Sequence, residues 1–112
     1  MADDCLFCKI VAGEIPATRV YEDDDTLAFA DLNPQAPTHA LLIPKRHFAD
    51  LAELSGDADA SAAVLRGIRA TADAAGLSEF RTVFNTGPQA GQTVFHVHAH
   101  VVGGRRMQWP PG

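Results

Sequence analysis

Three of the five histidines in this 112-residue chain alternate over five positions, His96-Val97-His98-Ala99-His100. Side chains two apart on a strand share a face. A strand over residues 94–102 is therefore predicted to present His96, His98 and His100 together, about 7 Å apart, with Phe95, Val97, Ala99 and Val101 packed inward. A half-buried strand with a chance polar face does not readily collect three imidazoles when only His39 and His47 remain elsewhere. Two chemistries need such a row. A metal can take imidazole nitrogens as ligands, or one imidazole can act as nucleophile while its neighbours orient it and supply protons.

Outside ligands for the first chemistry are Cys5 and Cys8, at C-x-x-C spacing, and His47. Two thiolates and two imidazoles fill a tetrahedral zinc and leave no position for water. That arithmetic favours a structural metal and leaves the remaining histidines free for chemistry. Which triad member joins the cysteines is open on spacing alone. The loop Asn85-Thr86-Gly87-Pro88-Gln89-Ala90-Gly91-Gln92-Thr93 runs directly into the histidines. Its Gly87 and Gly91 let backbone amides approach a ligand, and Asn85, Gln92 and Thr93 bring neutral donors. It lacks G-K-[ST] and precedes a strand, so it is no P-loop; it reads as a cradle for phosphate oxygens held without a cation. Asp31, at a strand end, suits ribose hydroxyls or a turn cap. Glu22-Asp23-Asp24-Asp25 reads as a solvated turn, and Lys45-Arg46-His47 is too short for a nucleic-acid site.

The elements that must position these groups follow from punctuation and period. A short helix over 4–12 is expected, capped by Asp3 or Asp4 and stopped by Gly13. Val20, Leu27 and Phe29 belong to two short strands joined by the acidic turn. Pro34 and Pro37 make 33–37 a loop, and Ala40–Ile43 is a buried strand ended by Pro44. Residues 58–75 are helical, with Val64, Ile68, Ala72 and Ala75 on one stripe, Asp57 as cap and Gly76 as stop. Strands at 80–84 and 94–102 complete an α+β domain over residues 1–112, expected as an antiparallel meander with its helices on one face. The Gly- and Pro-rich tail from Gly103 carries the sole tryptophan, Trp109, whose ring needs a cover.

Composition narrows the partners. With 9 Lys and Arg against 14 Asp and Glu, the net charge of −5 argues against a nucleic-acid polymer held through its phosphates. No window reaches the roughly 18 apolar residues of a membrane span. The acidic start is unlike a signal peptide, so reduced cysteines in the cytoplasm are expected.

Together these pieces resemble the histidine triad (HIT) superfamily, whose His-φ-His-φ-His-φ-φ signature stands as His96-Val-His98-Ala-His100-Val101-Val102. Cys5-Leu-Phe-Cys8, Asp31-Leu-Asn-Pro-Gln-Ala-Pro-Thr-His39, Ile43-Pro-Lys-Arg-His47, Gly91-Gln-Thr and the Trp109-Pro-Pro-Gly112 ending are similar to the branch of histidine triad nucleotide-binding proteins (Hint). The resemblance implies a five-stranded antiparallel sheet with one long and one short helix, dimerising into a continuous ten-stranded sheet. It implies a hydrolase of P–N bonds in purine nucleoside phosphoramidates. His98 would form a covalent nucleotidyl-histidine, with His100 and His39 touching the phosphate and assisting proton transfer to the amine. Asn85, Gln92 and Thr93 match phosphate or leaving-group positions; Thr93 stands where the branch commonly has serine, so leaving-group preference is expected to differ. Asp31 matches a ribose-binding carboxylate, and Leu6, Phe7, Ile10, Ile15, Phe29 and Leu32 an apolar base pocket. Trp109 is implied near the partner subunit's active site. Cys5, Cys8, His47 and His96 match the ligands of a structural Zn2+. The competing readings are a dinucleoside polyphosphate hydrolase, which the Trp-Pro-Pro-Gly ending argues against, and a nucleotide-binding adaptor with vestigial catalysis.

Overall fold

The structure is a computed structural model and describes residues 4–112. Two apolar runs form its centre: β2 (Thr26–Ala30) and β3 (Thr38–Pro44), almost wholly buried. β2 pairs with β1 (Arg19–Glu22) across the acidic turn. That turn is closed by Asp23, whose Oδ1 accepts from the backbone of Asp25 and Thr26 and from the Thr26 hydroxyl at 2.7–3.0 Å. The remaining strands are β4 (Phe80–Val83) and β5 (Ala99–Gly103). The sheet is antiparallel throughout in the order β1-β2-β3-β5-β4. The expected meander is therefore corrected: the last strand inserts between β3 and β4. Its burial explains the placement, since Ala99 and Val101 are fully buried while β4 alternates exposed and half-buried, as suits an edge.

The expectation that helices share one face is also corrected, because β2 and β3 are apolar on both sides. The paired Leu27–Ile43 and Phe29–Leu41 form one face with Phe7 and Ile10 of α1 (Leu6–Val11). Ala28, Leu42, Ala99 and Val101 form the other, under Val64, Ile68 and Ala72 of α3 (Ala58–Ala74). Ala75 ends α3 as its C-cap and is only partly buried. Asp57 caps α3 and Gly76, at φ +75°, ends it, as the sequence predicts. α3 lies so close to the sheet at Gly67 that a Cβ there would sit 2.8 Å from the Thr26 hydroxyl. A second short helix escaped the sequence reading: α2 (Leu51–Leu54), four residues long, capped by Asp50, and anchored by buried Leu54.

At α1 the cap is Cys5, whose sulfur accepts from the Cys8 amide at 3.2 Å. Asp4 does not fill that role, and Asp3 lies outside the described residues. Gly13, at φ +80°, follows the helix as expected.

The largest correction concerns the histidines. Strand pairing begins only at Ala99, so His96 and His98 precede β5. β3 offers a physical reason. Beyond Leu42↔Ala99 its next residues are Ile43 and Pro44, and Pro44 has no N–H to continue a ladder. Phe95 is 48% exposed, against expectation, while Val97 is buried with its N–H on the Phe48 carbonyl at 2.7 Å.

Candidate functional site

Leaving the strand sends the three histidines to different surroundings. His96 is fully buried and turns to the N-terminal cysteines. Its Nδ1 lies 3.4 Å from Cys5 Sγ, 3.5 Å from Cys8 Sγ and 3.2 Å from His47 Nδ1, and His47 Nδ1 lies 3.3 Å from Cys8 Sγ. A tetrahedral zinc with bonds of about 2.0–2.3 Å has ligand–ligand edges of about 3.3–3.8 Å. The four residues fit that ion in donor type, number and spacing.

The tautomer fits as well. The Pro44 carbonyl can only accept, and it lies 2.8 Å from His96 Nε2, so that nitrogen carries the proton and Nδ1 turns its lone pair to the cluster. A metal-ligating imidazole is normally oriented by such a bond from its other nitrogen. Burial, more than the neighbouring imidazoles, pushes His96 down to about 4 and keeps it neutral. Burial, followed by the adjacent Cys5, pushes the Cys8 thiol up to about 11.

His98 is held by the same backbone. Its Nδ1 lies 2.9 Å from the His96 carbonyl oxygen, so Nδ1 carries the proton and Nε2 keeps a free lone pair. Phe7, between the two cysteines in sequence, sets its ring edge-on to His98, centroids 5.1 Å apart at 86°. The ring of His100 is also 5.1 Å from that of His98.

His39 reaches His100 across the β3–β5 pair, Nε2 to Nδ1 at 2.9 Å. The backbone N–H of Gln35 donates to His39 Nδ1 at 3.0 Å. His39 must then carry its proton on Nε2 and donate it to His100 Nδ1, with Asp31 Oδ2 a second, longer acceptor 3.3 Å from the same nitrogen. It follows that His100 carries its own proton on Nε2. Burial first, then the surrounding imidazoles, pushes His100 down to about 4, so it is a neutral donor. Asp31, His39 and His100 could also be drawn as a metal-ligand trio. The Gln35 amide opposes this, because ligation by His39 Nε2 would drive the proton onto Nδ1, where another donor already points.

Beside these groups a cavity of about 200 Å³ is lined by Leu6, Phe7, Ile10, Ile15, Phe29 and Leu32, with Asp31. All six apolar residues named from the resemblance thus come together, joined by Thr18 and Leu41, which the sequence reading missed. Leu41 could have been found, since it alternates with His39 on β3. The Asp31 carboxylate also accepts from the Asn33 amide at 2.8 Å, the turn-cap role left open above.

The donor loop divides. Gln92 was expected to face a phosphate or leaving group, but it is buried and spent within the protein. Its Oε1 accepts from the Gly87 amide at 2.9 Å, and its Nε2 donates to the carbonyls of Ala49 at 2.8 Å and Val94 at 3.1 Å. Its role is to hold the loop. Asn85 is half-buried beside Gly91, and Thr93 is exposed. Thr93 lines a separate cleft of about 350 Å³ with Asp4, Cys5, Leu6, His47 and Phe95. Trp109 is absent from both cavity walls; it is 80% exposed, with the Arg81 guanidinium 5.8 Å from its ring. A further cavity of about 490 Å³ has none of the histidines in its lining. Several of its charges are already paired, Arg46 with Asp57 and Lys45 with Glu22.

This arrangement offers an oriented imidazole with a free ring nitrogen, a neutral N–H donor beside it and an adjoining apolar cavity. A family model described as the HIT domain matches residues 12–107. The chain is 46% identical to a 14 kDa zinc-binding protein of Brassica juncea, over 97% of this chain and all of that one. It is 47% identical to the adenylylsulfatase HINT1 of Arabidopsis thaliana, over 96% of this chain and 76% of that protein. Among solved structures, a HIT family hydrolase from Legionella pneumophila superposes with a TM-score of 0.91 at 52% identity, covering 97% of this chain and 100% of the other.

Proposed function

This chain belongs to the HIT domain family, in its histidine triad nucleotide-binding branch, and from that premise we propose that it is a nucleotide hydrolase that cleaves the P–N bond of purine nucleoside 5'-phosphoramidates. The carrying observation is the fixed tautomer of His98, whose Nδ1–H is held by the His96 carbonyl. In this reading His98 Nε2 attacks the phosphorus as the bond to nitrogen breaks, giving a nucleotidyl-histidine and, after uptake of one proton, the free amine. Water then attacks the same phosphorus. The His98–phosphorus bond breaks, the nucleoside monophosphate leaves, and the proton taken up in the first step is returned. The His100 Nε2–H stabilises charge on the phosphoryl oxygens and departing nitrogen without having to ionise. The apolar cavity takes the base and Asp31 the ribose hydroxyls.

The residues at Cys5, Cys8, His47 and His96 would hold a zinc ion. With four protein ligands it supplies stability by tying α1 to the segment before β5, and no step runs through it. The same reading makes the protein a cytoplasmic homodimer with a ten-stranded sheet. Support comes from β4, a free edge with Phe80 37% exposed, and from Trp109, which lies over Arg81 on that edge.

A side-by-side assay tests the function. Purified protein is given an adenosine phosphoramidate, a diadenosine polyphosphate and adenylyl sulfate, the last because one relative is an adenylylsulfatase. The phosphoramidate is expected to be turned over with the highest kcat/KM. Preference for the dinucleotide sinks the reading in favour of a polyphosphate hydrolase, and inertness toward all three in favour of an adaptor. A monomeric mass by light scattering removes the dimer.

A further inference from the structure

We infer that Arg105 is a positioning residue for the catalytic histidine pair, acting through the Asp31–Thr38 loop. The polarity of that pair depends on two groups: the Gln35 N–H on His39 Nδ1 and the Asp31 carboxylate 3.3 Å from Nε2 both favour the His39 proton on Nε2, and of the two only the Gln35 N–H occupies Nδ1. Gln35 sits in an exposed stretch that contains Pro34 and Pro37. Internally it is tied by its own side chain to the Asn33 carbonyl at 2.9 Å. From outside the loop, the tail following β5 clasps it. Arg105 Nη2 donates to the Gln35 carbonyl at 3.0 Å, and Nη1 donates to the Arg106 carbonyl at 3.1 Å, which commits the guanidinium to this place. Next to it, Gly104 adopts φ +91° and approaches Pro37 so closely that a Cβ would lie 3.0 Å from the proline ring. Gly103 pairs with Thr38 at the start of the β3–β5 ladder. The last residue of β5 and the first two of the tail thus fix the loop that supplies the Gln35 donor.

The consequence is chemical. When Gln35 drifts, the Asp31 carboxylate alone favours the Nε2 proton, and part of the population can take the His39 proton on Nδ1 and accept through Nε2. His100 then donates from Nδ1 and turns a bare Nε2 lone pair to the anionic phosphoryl group, where the fold otherwise presents an N–H. Repulsion replaces stabilisation at the reacting centre.

The kinetic consequence rests on the phosphoramidase reading, whereas the structural one does not. In Arg105→Ala, long-range ¹H–¹⁵N correlation of the imidazoles is expected to show His39 in mixed tautomers, against a single Nε2–H form in the parent. The His47 and His96 signals, remote from the tail, should not move and serve as the check on folding. With an adenosine phosphoramidate, kcat is expected to fall about tenfold and KM to stay within about twofold. Arg105→Lys, which keeps one donor, should recover most of the rate. A His39 that keeps its single Nε2–H tautomer in R105A overturns the inference, whatever happens to the rate. A parent protein inert toward the phosphoramidate sinks the functional reading instead, and the spectra still decide this one.

Discussion

The His98 side chain is oriented by the backbone of His96, Nδ1 to carbonyl oxygen at 2.9 Å. The His96 side chain is in turn held between the Pro44 carbonyl and the two cysteines. A candidate metal ligand and a candidate nucleophile therefore share one short piece of chain. The cluster sets where the segment lies, and the carbonyl sets which nitrogen of His98 is free.

Replacing His98 by Ala should lower phosphoramidate turnover by on the order of 10³-fold or more, as loss of a nucleophile does elsewhere. Binding of adenosine monophosphate, measured by calorimetry, should persist because the apolar cavity is untouched. Intact-protein mass spectrometry of the parent during turnover should show an added nucleotidyl group that H98A lacks. An H98A protein with parental turnover would falsify the nucleophile assignment.

Zinc should raise the unfolding free energy of metal-free protein, by about 2.7 kcal/mol at a free concentration a hundredfold above Kd. Chelation is expected to lower stability more than it lowers the rate of the protein still folded. Cys8→Ser should abolish the zinc-dependent gain. A rate that collapses at unchanged stability, and returns only with added metal, would instead point to metal-assisted hydrolysis.

Gln92→Ala leaves the Gly87 amide and the carbonyls of Ala49 and Val94 without their partner. Orphaned buried polar groups cost about 1–3 kcal/mol, so denaturant unfolding should shift by that much. A change in KM with no loss of stability would restore Gln92 to the ligand-binding role first expected of it.

Acid should weaken the fold through His100, whose pKa is lowered from 6.5 to about 4. The unfolded chain then binds the proton more readily, so this contribution is complete above about 6.5 and is lost as pH falls toward about 4. Between about pH 7 and about pH 5 the parent should lose about 1 kcal/mol more than His100→Gln does, because solvent screens a half-buried ring. Equal slopes in the two proteins would mean that His100 is not held neutral by its surroundings.

Local signals carried much of the fold. Helix α3 was legible to within a residue at its C-terminal end because Asp57, the apolar stripe and Gly76 act within a few residues of one another. The buried strands and the proline loop were legible for the same reason. α2 was not, since four residues carry too little period. Nor was the insertion of β5 beside β3, because alternation within one strand says nothing of which strand becomes its neighbour.

The candidate site divides along the same line. Residue types and spacing by themselves determined that imidazole and thiol chemistry gathers around residues 96–100 and 5–8, since those groups are covalently close. They did not determine where each imidazole goes. Strict alternation predicted one shared histidine face, yet Pro44 cannot extend the ladder, and the chain before Ala99 turns His96 into the cluster. Only the tertiary structure brings His39, 61 residues away in sequence, onto His100, and sets the Gln35 amide behind it. Spacing names the groups able to react. The direction of their protons depends on backbone donors and acceptors that long-range packing alone delivers.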